Sequence, residues 1–342
     1  MNWVIKDGIG QAGGIAFAAW LGRRKGLDAD PKRWRIVSAL AMDGATFLEI
    51  LSPLFPGYFL FVASVANVGK NIAYLSASAS RAAIHNSYAM KRNLADLTAK
   101  AGSQTIFASL GGTALGVALS KIVGSEWLHV ASAFAALSVV HLSCVHLAVR
   151  SVILRSFNRD RLHQVIRHYL DTAQPNATGN LTGQLLTPKE VSQTETIFPV
   201  HTQKDPFDWI VTAQHSLDDI FPNGKTDYDK WVSGQRYGGH DQFILRYDQV
   251  KRRCVLGIVH GASSEDILQA FLQAQVLKDD MDNATEQSWS DEELEVLEKK
   301  SQRRAEVLFP TFVEKVLDVG WDCHQLFVEP ETTIRYSFEH QI

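Results

Sequence analysis

The chain is poor in the features that mark the commonest functional classes. It has three cysteines in 342 residues, Cys144, Cys254 and Cys323, and no C-x-x-C pair. That pattern argues against a cysteine zinc site or a disulfide framework, and no metal is expected. No charge sign dominates: the net charge is −3, which gives no general reason to expect nucleic acid. There is no phosphate-cradling glycine loop, since Tyr237-Gly238-Gly239-His240 is only a glycine turn. Asn176, Asn180 and Asn283 each begin an N-x-T tripeptide, a pattern too common by chance to assign glycosylation. The opening Met1-Asn2-Trp3-Val4-Ile5-Lys6 lacks the basic n-region and apolar core of a secretory signal. It reads like the interior of a domain, so a natural N-terminus is expected upstream.

What is present is divided unevenly. The first 150 residues are rich in Ala, Gly, Leu, Val and Ser with long uncharged runs, whereas the rest is ordinary mixed-charge sequence. The division predicts a mainly α N-terminal helical domain, membrane-associated, over 1–170. A linker over 171–193 and a small α+β domain over 194–342 follow.

Residues 8–22 carry no charge and hold Gly10 and Gly14 in a G-x-x-x-G, which lets helices approach closely. They fall short of the roughly 20 residues that span a bilayer. Asp30-Pro31 is a helix start. The uncharged run 50–69 contains Pro53 and Pro56, which should break it. In 101–120, Ala108, Gly112 and Gly116 form a small-residue face. Residues 127–149, between Trp127 and Arg150, are long enough to cross a membrane and are the best transmembrane candidate. The connectors 23–35 and 70–100 are both net basic, yet a single crossing between them would place them on opposite sides, so the positive-inside rule does not set a topology.

Residues 150–170 read as one basic amphipathic helix, with Arg150, Arg155, Arg159, Arg161 and Arg167 available to lipid headgroups or to solvent. Thr187 with Glu190, Ser263 or Ser264 with Asp266 nearby, and Ser290 with Glu292 and Glu293 are helix starts. The stretch 279–290 reads as an acidic loop, and Pro310 as a helix interruption. Residues 243–247, 254–259, 324–328 and 333–338 read as strands.

The functional centre is placed at 61–121. At about 100° per residue, Asn67, Asn71, Ser78, Arg81 and His85 fall near one line of a helix, with Val68, Ile72, Leu75, Ala79 and Ala83 opposite. Asn93, Asp96, Lys100 and Ser103 share a second face. One reading makes these, with Lys70 and Gln104, the lining of a polar groove for an anionic small molecule, with Arg81 as its charge partner. The other makes Asp96 and Lys100 an i,i+4 surface pair and lets the asparagines satisfy each other between helices.

Several segments are similar to the root UVB-sensitive family. They are Trp3-Val4-Ile5-Lys6-Asp7-Gly8-Ile9-Gly10, Asp30-Pro31-Lys32-Arg33-Trp34-Arg35, Leu48-Glu49-Ile50-Leu51-Ser52-Pro53, Ser80-Arg81-Ala82-Ala83 and Asn93 through Gln104. The chain departs from the family pattern at Ser80, where Thr is common, and at Ala101, where an acidic residue is frequent. The resemblance implies a membrane-associated protein, in plants linked to vitamin B6 homeostasis and to seedling and root development under UV-B, with no assigned reaction and no catalytic residues to carry over. The expected role is a non-catalytic adaptor or carrier located in a membrane. Its partners would be lipids and a protein partner or second copy, without nucleic acid and without a resident cofactor. Two alternatives stand beside it: a binder of pyridoxal phosphate or another anion, with Lys70 or Lys100 as a Schiff-base lysine, and an enzyme using Asp96, Lys100, Ser103 or His85.

Overall fold

A computed structural model describes residues 2–21, 26–89, 93–175, 181–198, 207–212, 220–221, 223–232, 238–240, 242–283, 289–329 and 335–336. The chain forms two compact units: 1–154 with 196–200, and 155–195 with 201–342.

The first unit is helical: α1 (Asn2–Leu21), α2 (Gly26–Ala29), α3 (Pro31–Leu51), α4 (Phe59–Tyr88), α5 (Leu94–Val123) and α6 (Trp127–Arg150). Pro31 opens α3 at its first turn, where a missing N–H costs nothing. Pro53 and Pro56 end it in two short 3₁₀ turns, Ser52–Leu54 and Pro56–Tyr58, before α4 begins.

Contacts along the helices fix their directions. Glycines seat α1 on α4. A Cβ at Gly10 would stand 2.8 Å from Asn67 Nδ2, one at Gly13 would stand 2.7 Å from Val68 Cγ1, and one at Gly14 would stand 3.1 Å from Asn71 Cβ. The G-x-x-x-G is thus a close helix contact, and α1 and α4 run the same way. Lys6 meets Glu49 and Gly69 meets Ala45, so α3 runs opposite to both. Phe47 stacks on Phe134, and Ile36 and Ala39 share a small core with Val145 and Val149, so α6 is antiparallel to α3. Helix α5 joins the end of α4 to the start of α6 and therefore runs with α3. Its Ala108, Gly112 and Gly116 do not form a packed face among the described residues: a Cβ at Gly112 or Gly116 would meet nothing within 4 Å.

The second unit begins earlier than the sequence suggests. Residues 150–170 are not one helix. After α6 the chain extends into β1 (Ser156–Asn158), and α7 (Arg159–Asp171) starts with the Asn158 side chain accepting from Arg161 N. That capping, and the pairing of β1 with β8 (Asp322–Phe327), outweigh helical continuity. The stretch 171–187 holds a small antiparallel pair, β2 (Gln174–Pro175) with β3 (Leu181–Thr182). α8 (Pro188–Thr194) follows with a Thr187–Glu190 capping box.

The main sheet has order β4-β7-β6-β5, from β4 (Ile210–Thr212), β5 (Gly238–His240), β6 (Phe243–Asp248) and β7 (Arg253–Val259). β9 (Arg335–Tyr336) pairs with β7 beyond β4. Tyr237 lies outside the described residues, and Gly238 to His240 are strand rather than turn. A short α9 (Lys225–Val232) precedes β5. Alternation along the strands separates two cores. Phe243, Leu245, Cys254, Leu256 and Ile258 join the large core with α7, α10 (Ser264–Asp282) and α11 (Asp291–Asp318), while Ile244 and Val255 meet Ile220 and Phe221 on the other face.

Ser263 and Ser290 each close a capping box, on Asp266 and Glu293. The acidic stretch from 279 is helical as far as Asp282. Pro310 does not interrupt α11. It lies on the solvent face, as does Glu306, whose carbonyl loses its helical donor there, while Leu308, Phe312 and Val316 hold the helix to the core on both sides.

Candidate functional site

The helical unit contains a polar seam. Lys6 Nζ donates to Glu49 Oε1 at 3.2 Å, and Lys70 Nζ donates to Glu49 Oε2. One carboxylate thus bridges two ammonium groups from different helices. Lys6 is 5 % exposed, and Asp7 Oδ1 lies 3.9 Å from the same ammonium group. Asn67 Nδ2 donates to Asp7 Oδ1 at 2.8 Å and to the Lys6 carbonyl at 3.2 Å. Asn71 Nδ2 donates to the Asn67 carbonyl at 2.9 Å. Further along, His141 Nδ1 lies 2.9 Å from Asp43 Oδ1, and the buried Asp43 Oδ2 has no hydrogen-bond partner among the described residues. Ser64 Oγ and Ser76 Oγ are also buried with no hydrogen-bond partner among the described residues.

The candidate residues therefore divide. Asn67, Lys70 and Asn71 come together with Lys6, Asp7 and Glu49 in the seam. Arg81 is exposed and His85 half-buried near the other end of α4, and neither makes a side-chain hydrogen bond or ion pair among the described residues. Arg81 acts electrostatically on the half-buried Arg35 of α3. Asn93, Asp96, Lys100, Ser103 and Gln104 are exposed on α5. Ser103 Oγ donates to the Ala99 carbonyl at 3.1 Å, and the Asp96–Lys100 ion pair is not formed among the described residues. Lys6, Glu49, Asp43 and His141 were not singled out as site residues from the sequence. One signal for Glu49 and Lys70 was there: they bound the same uncharged run, 50–69, which folds back as a hairpin and pairs them.

Two family models account for most of the chain. One, described as a vitamin B6 photo-protection and homoeostasis domain, matches residues 1–173. The other, described as root UVB sensitive protein, C-terminal, matches residues 184–332. The chain belongs to the root UVB-sensitive family. Among curated relatives of this family, protein root UVB sensitive 3 of Arabidopsis thaliana is 32 % identical over 58 % of this chain and 42 % of its own length. Protein root UVB sensitive 6 of the same plant is 26 % identical over 96 % of this chain and 64 % of its own length. RUS family member 1 of Dictyostelium discoideum is 31 % identical over 57 % of this chain and 36 % of its own length. The chain thus spans about one to two thirds of these relatives. No solved structure matches it.

The seam of this root UVB-sensitive chain holds fixed charge and offers hydrogen-bonding groups inside a largely apolar bundle. The described residues contain no group of three or more His, Cys, Asp or Glu placed to hold a metal ion.

Proposed function

We propose that the helical unit lies in a membrane and acts without covalent chemistry, as a carrier-like or adaptor protein in the homeostasis of an anionic metabolite. Vitamin B6 vitamers are the class that the family description supplies. The observation that carries this reading is α5. It has 30 residues and none is buried, although Ile106, Phe107, Leu110, Leu115 and Ile122 are all large and apolar. Such a surface is costly in water and ordinary in lipid. Three helices, Pro31–Leu54 with its 3₁₀ turn, Leu94–Val123 and Trp127–Arg150, are long and apolar enough to cross a bilayer. A polar seam inside such a bundle is where a membrane protein keeps its functional ionisable groups.

Alkaline carbonate extraction tests the reading on membranes from cells expressing the full chain. Retention in the pellet is expected, and release into the supernatant would refute it.

A second reading, a binder of pyridoxal phosphate or a related anion, is favoured by Arg35 and Arg81. They lie within electrostatic reach of each other, and neither side chain is bonded to a carboxylate among the described residues. Binding of pyridoxal phosphate that weakens in an Arg81→Ala chain is its test. The enzyme reading has no converging geometry behind it, since His85, Asp96 and Lys100 form no bond with one another among the described residues.

A further inference from the structure

We infer that the bundle has one membrane orientation. The end where α1, α4 and α6 finish and α3 and α5 begin faces the anionic leaflet on the side of synthesis, and the chain leaves α6 on that same side. This rests on the membrane reading above.

The carrying observation is a charge asymmetry that only the helix directions reveal. Residues 1–155 contain 15 Lys or Arg and seven Asp or Glu. By sequence, the stretch between α1 and the start of α3, of which 22–25 lie outside the described residues, contains Arg23, Arg24, Lys25, Lys32, Arg33 and Arg35, with Asp28 and Asp30. The connector from α4 into α5 adds Arg81, Lys91, Arg92 and Lys100 against Asp96. Arg150 and Arg155 mark the exit from α6. By chain order, twelve of the basic residues and three of the acidic ones belong to the segments that join or flank the helices at the proposed inner end. The opposite half has Lys6, Lys70 and Lys121 against Asp7, Glu49 and Glu126, with no net charge, and Asp43 sits near the middle.

Excess Lys and Arg beside membrane helices is retained on the side where the chain is made, and anionic lipid attracts it there. The two basic connectors looked incompatible in the linear sequence because one crossing separated them. The α3–α4 hairpin removes the conflict, since the uncharged turn at 52–58 sends the second connector back to the first one's end.

Dimensions and aromatic residues agree with this placement. Lys100 and Lys121 bracket 20 uncharged residues of α5. At 1.5 Å per residue these cover about 30 Å, the thickness of the hydrocarbon layer. Exposed Trp20 and Tyr88 lie at the basic end, and exposed Tyr58 and Trp127 at the opposite end, as interfacial aromatics do. Because the chain leaves α6 at the basic end, Asn176, Asn180 and Asn283 never meet a lumenal glycosylation machinery.

The test is labelling of sealed microsomes with a membrane-impermeant maleimide. The full chain carries Cys144, Cys254 and Cys323 replaced by Ala and one new cysteine: Lys25→Cys, Pro56→Cys or Ser125→Cys. Lys25→Cys should label without detergent, and the other two only after detergent. In the chain with its native cysteines, added protease should remove the second unit from intact microsomes, a readout that does not depend on the variants folding. The inverse labelling pattern with a protected second unit overturns the orientation while leaving membrane insertion standing. Pro56→Cys and Ser125→Cys on different sides overturns the shared end. Labelling of all three without detergent, from a chain that carbonate extracts, overturns the membrane reading itself.

Discussion

Replacing Arg161 by Ala should cost the second unit a large share of its stability. The side chain is 1 % exposed. Its Nε donates to the Ser156 carbonyl at 2.8 Å, and its Nη1 donates to Glu195 Oε1 at 2.8 Å, where the Glu195 side chain is itself 5 % exposed. The truncation leaves Glu195 as a buried carboxylate without this partner and strips a donor from the carbonyl of β1. Breaking a buried pair from one side costs about 3–5 kcal/mol, which is two to more than three orders of magnitude in the folding equilibrium. For a unit of this size that corresponds to a melting-point drop of roughly 6–20 °C. Hydrogen exchange on the full chain, followed on peptides covering β1 and α7, reads the loss directly. Replacing both partners, Arg161→Met with Glu195→Leu, should recover most of it, because apolar groups of similar volume need no counter-charge. The reasoning is refuted if Arg161→Ala shifts stability by less than about 1 kcal/mol, or if its only effect is weaker binding to anionic vesicles.

Three further outcomes are expected. Gly10→Leu drives a side chain into Asn67 and should destabilise the α1–α4 contact by about 1–3 kcal/mol, read as a lower melting temperature in detergent. Ser290→Ala removes the cap of α11 and should cost about 1 kcal/mol, with faster amide exchange confined to the first turn. Burial pushes the Cys323 thiol up to about 11, and Glu265 and Asp322 add to the effect. A raised thiol favours the neutral form in the folded state, so its contribution is complete below the ordinary value of 9.0 and disappears as pH rises through about 11. Between those limits the parent chain should lose melting temperature faster than Cys323→Ala.

Local chemistry made much of this fold legible. The caps at Thr187, Ser263 and Ser290, the break at Pro53 and Pro56, and the strands around 243–259 each depend on residues close in sequence, and each is where the pattern placed it. Gly10 and Gly14 also announced a close helix contact, though not that α4 would be the partner. What the pattern could not carry was pairing over long separations. Lys6 finds Glu49 43 residues away, and Arg161 becomes internal because Glu195 and β8 come to it. Read along one helix, the same arginine belonged to a surface stripe. The stripe on α4 was a correct periodicity with a mixed meaning. Its first members turn into the seam beside α1, whereas Arg81 is exposed and His85 half-buried, and neither side chain is bonded among the described residues. Pro310 is the opposite case. Its helix-breaking chemistry is local, but the core contacts of Leu308 and Phe312 on either side override it.

The parallel pairing of β1 with β8 ties the first strand of the second unit to one of its last, and Asp322 N extends the ladder by donating to the Arg155 carbonyl at 2.9 Å. During translation, Phe157 therefore emerges long before Trp321, the ring it stacks against at 4.4 Å, exists. At 5–20 residues per second the wait is roughly ten to thirty seconds. Over that interval the Phe157 ring lacks the Trp321 ring and the strand β8 that pack on it in the folded unit. The ribosome and its attendant chaperones would have to shield that ring until the closing strand arrives, and a premature stop before 322 would leave it exposed for good.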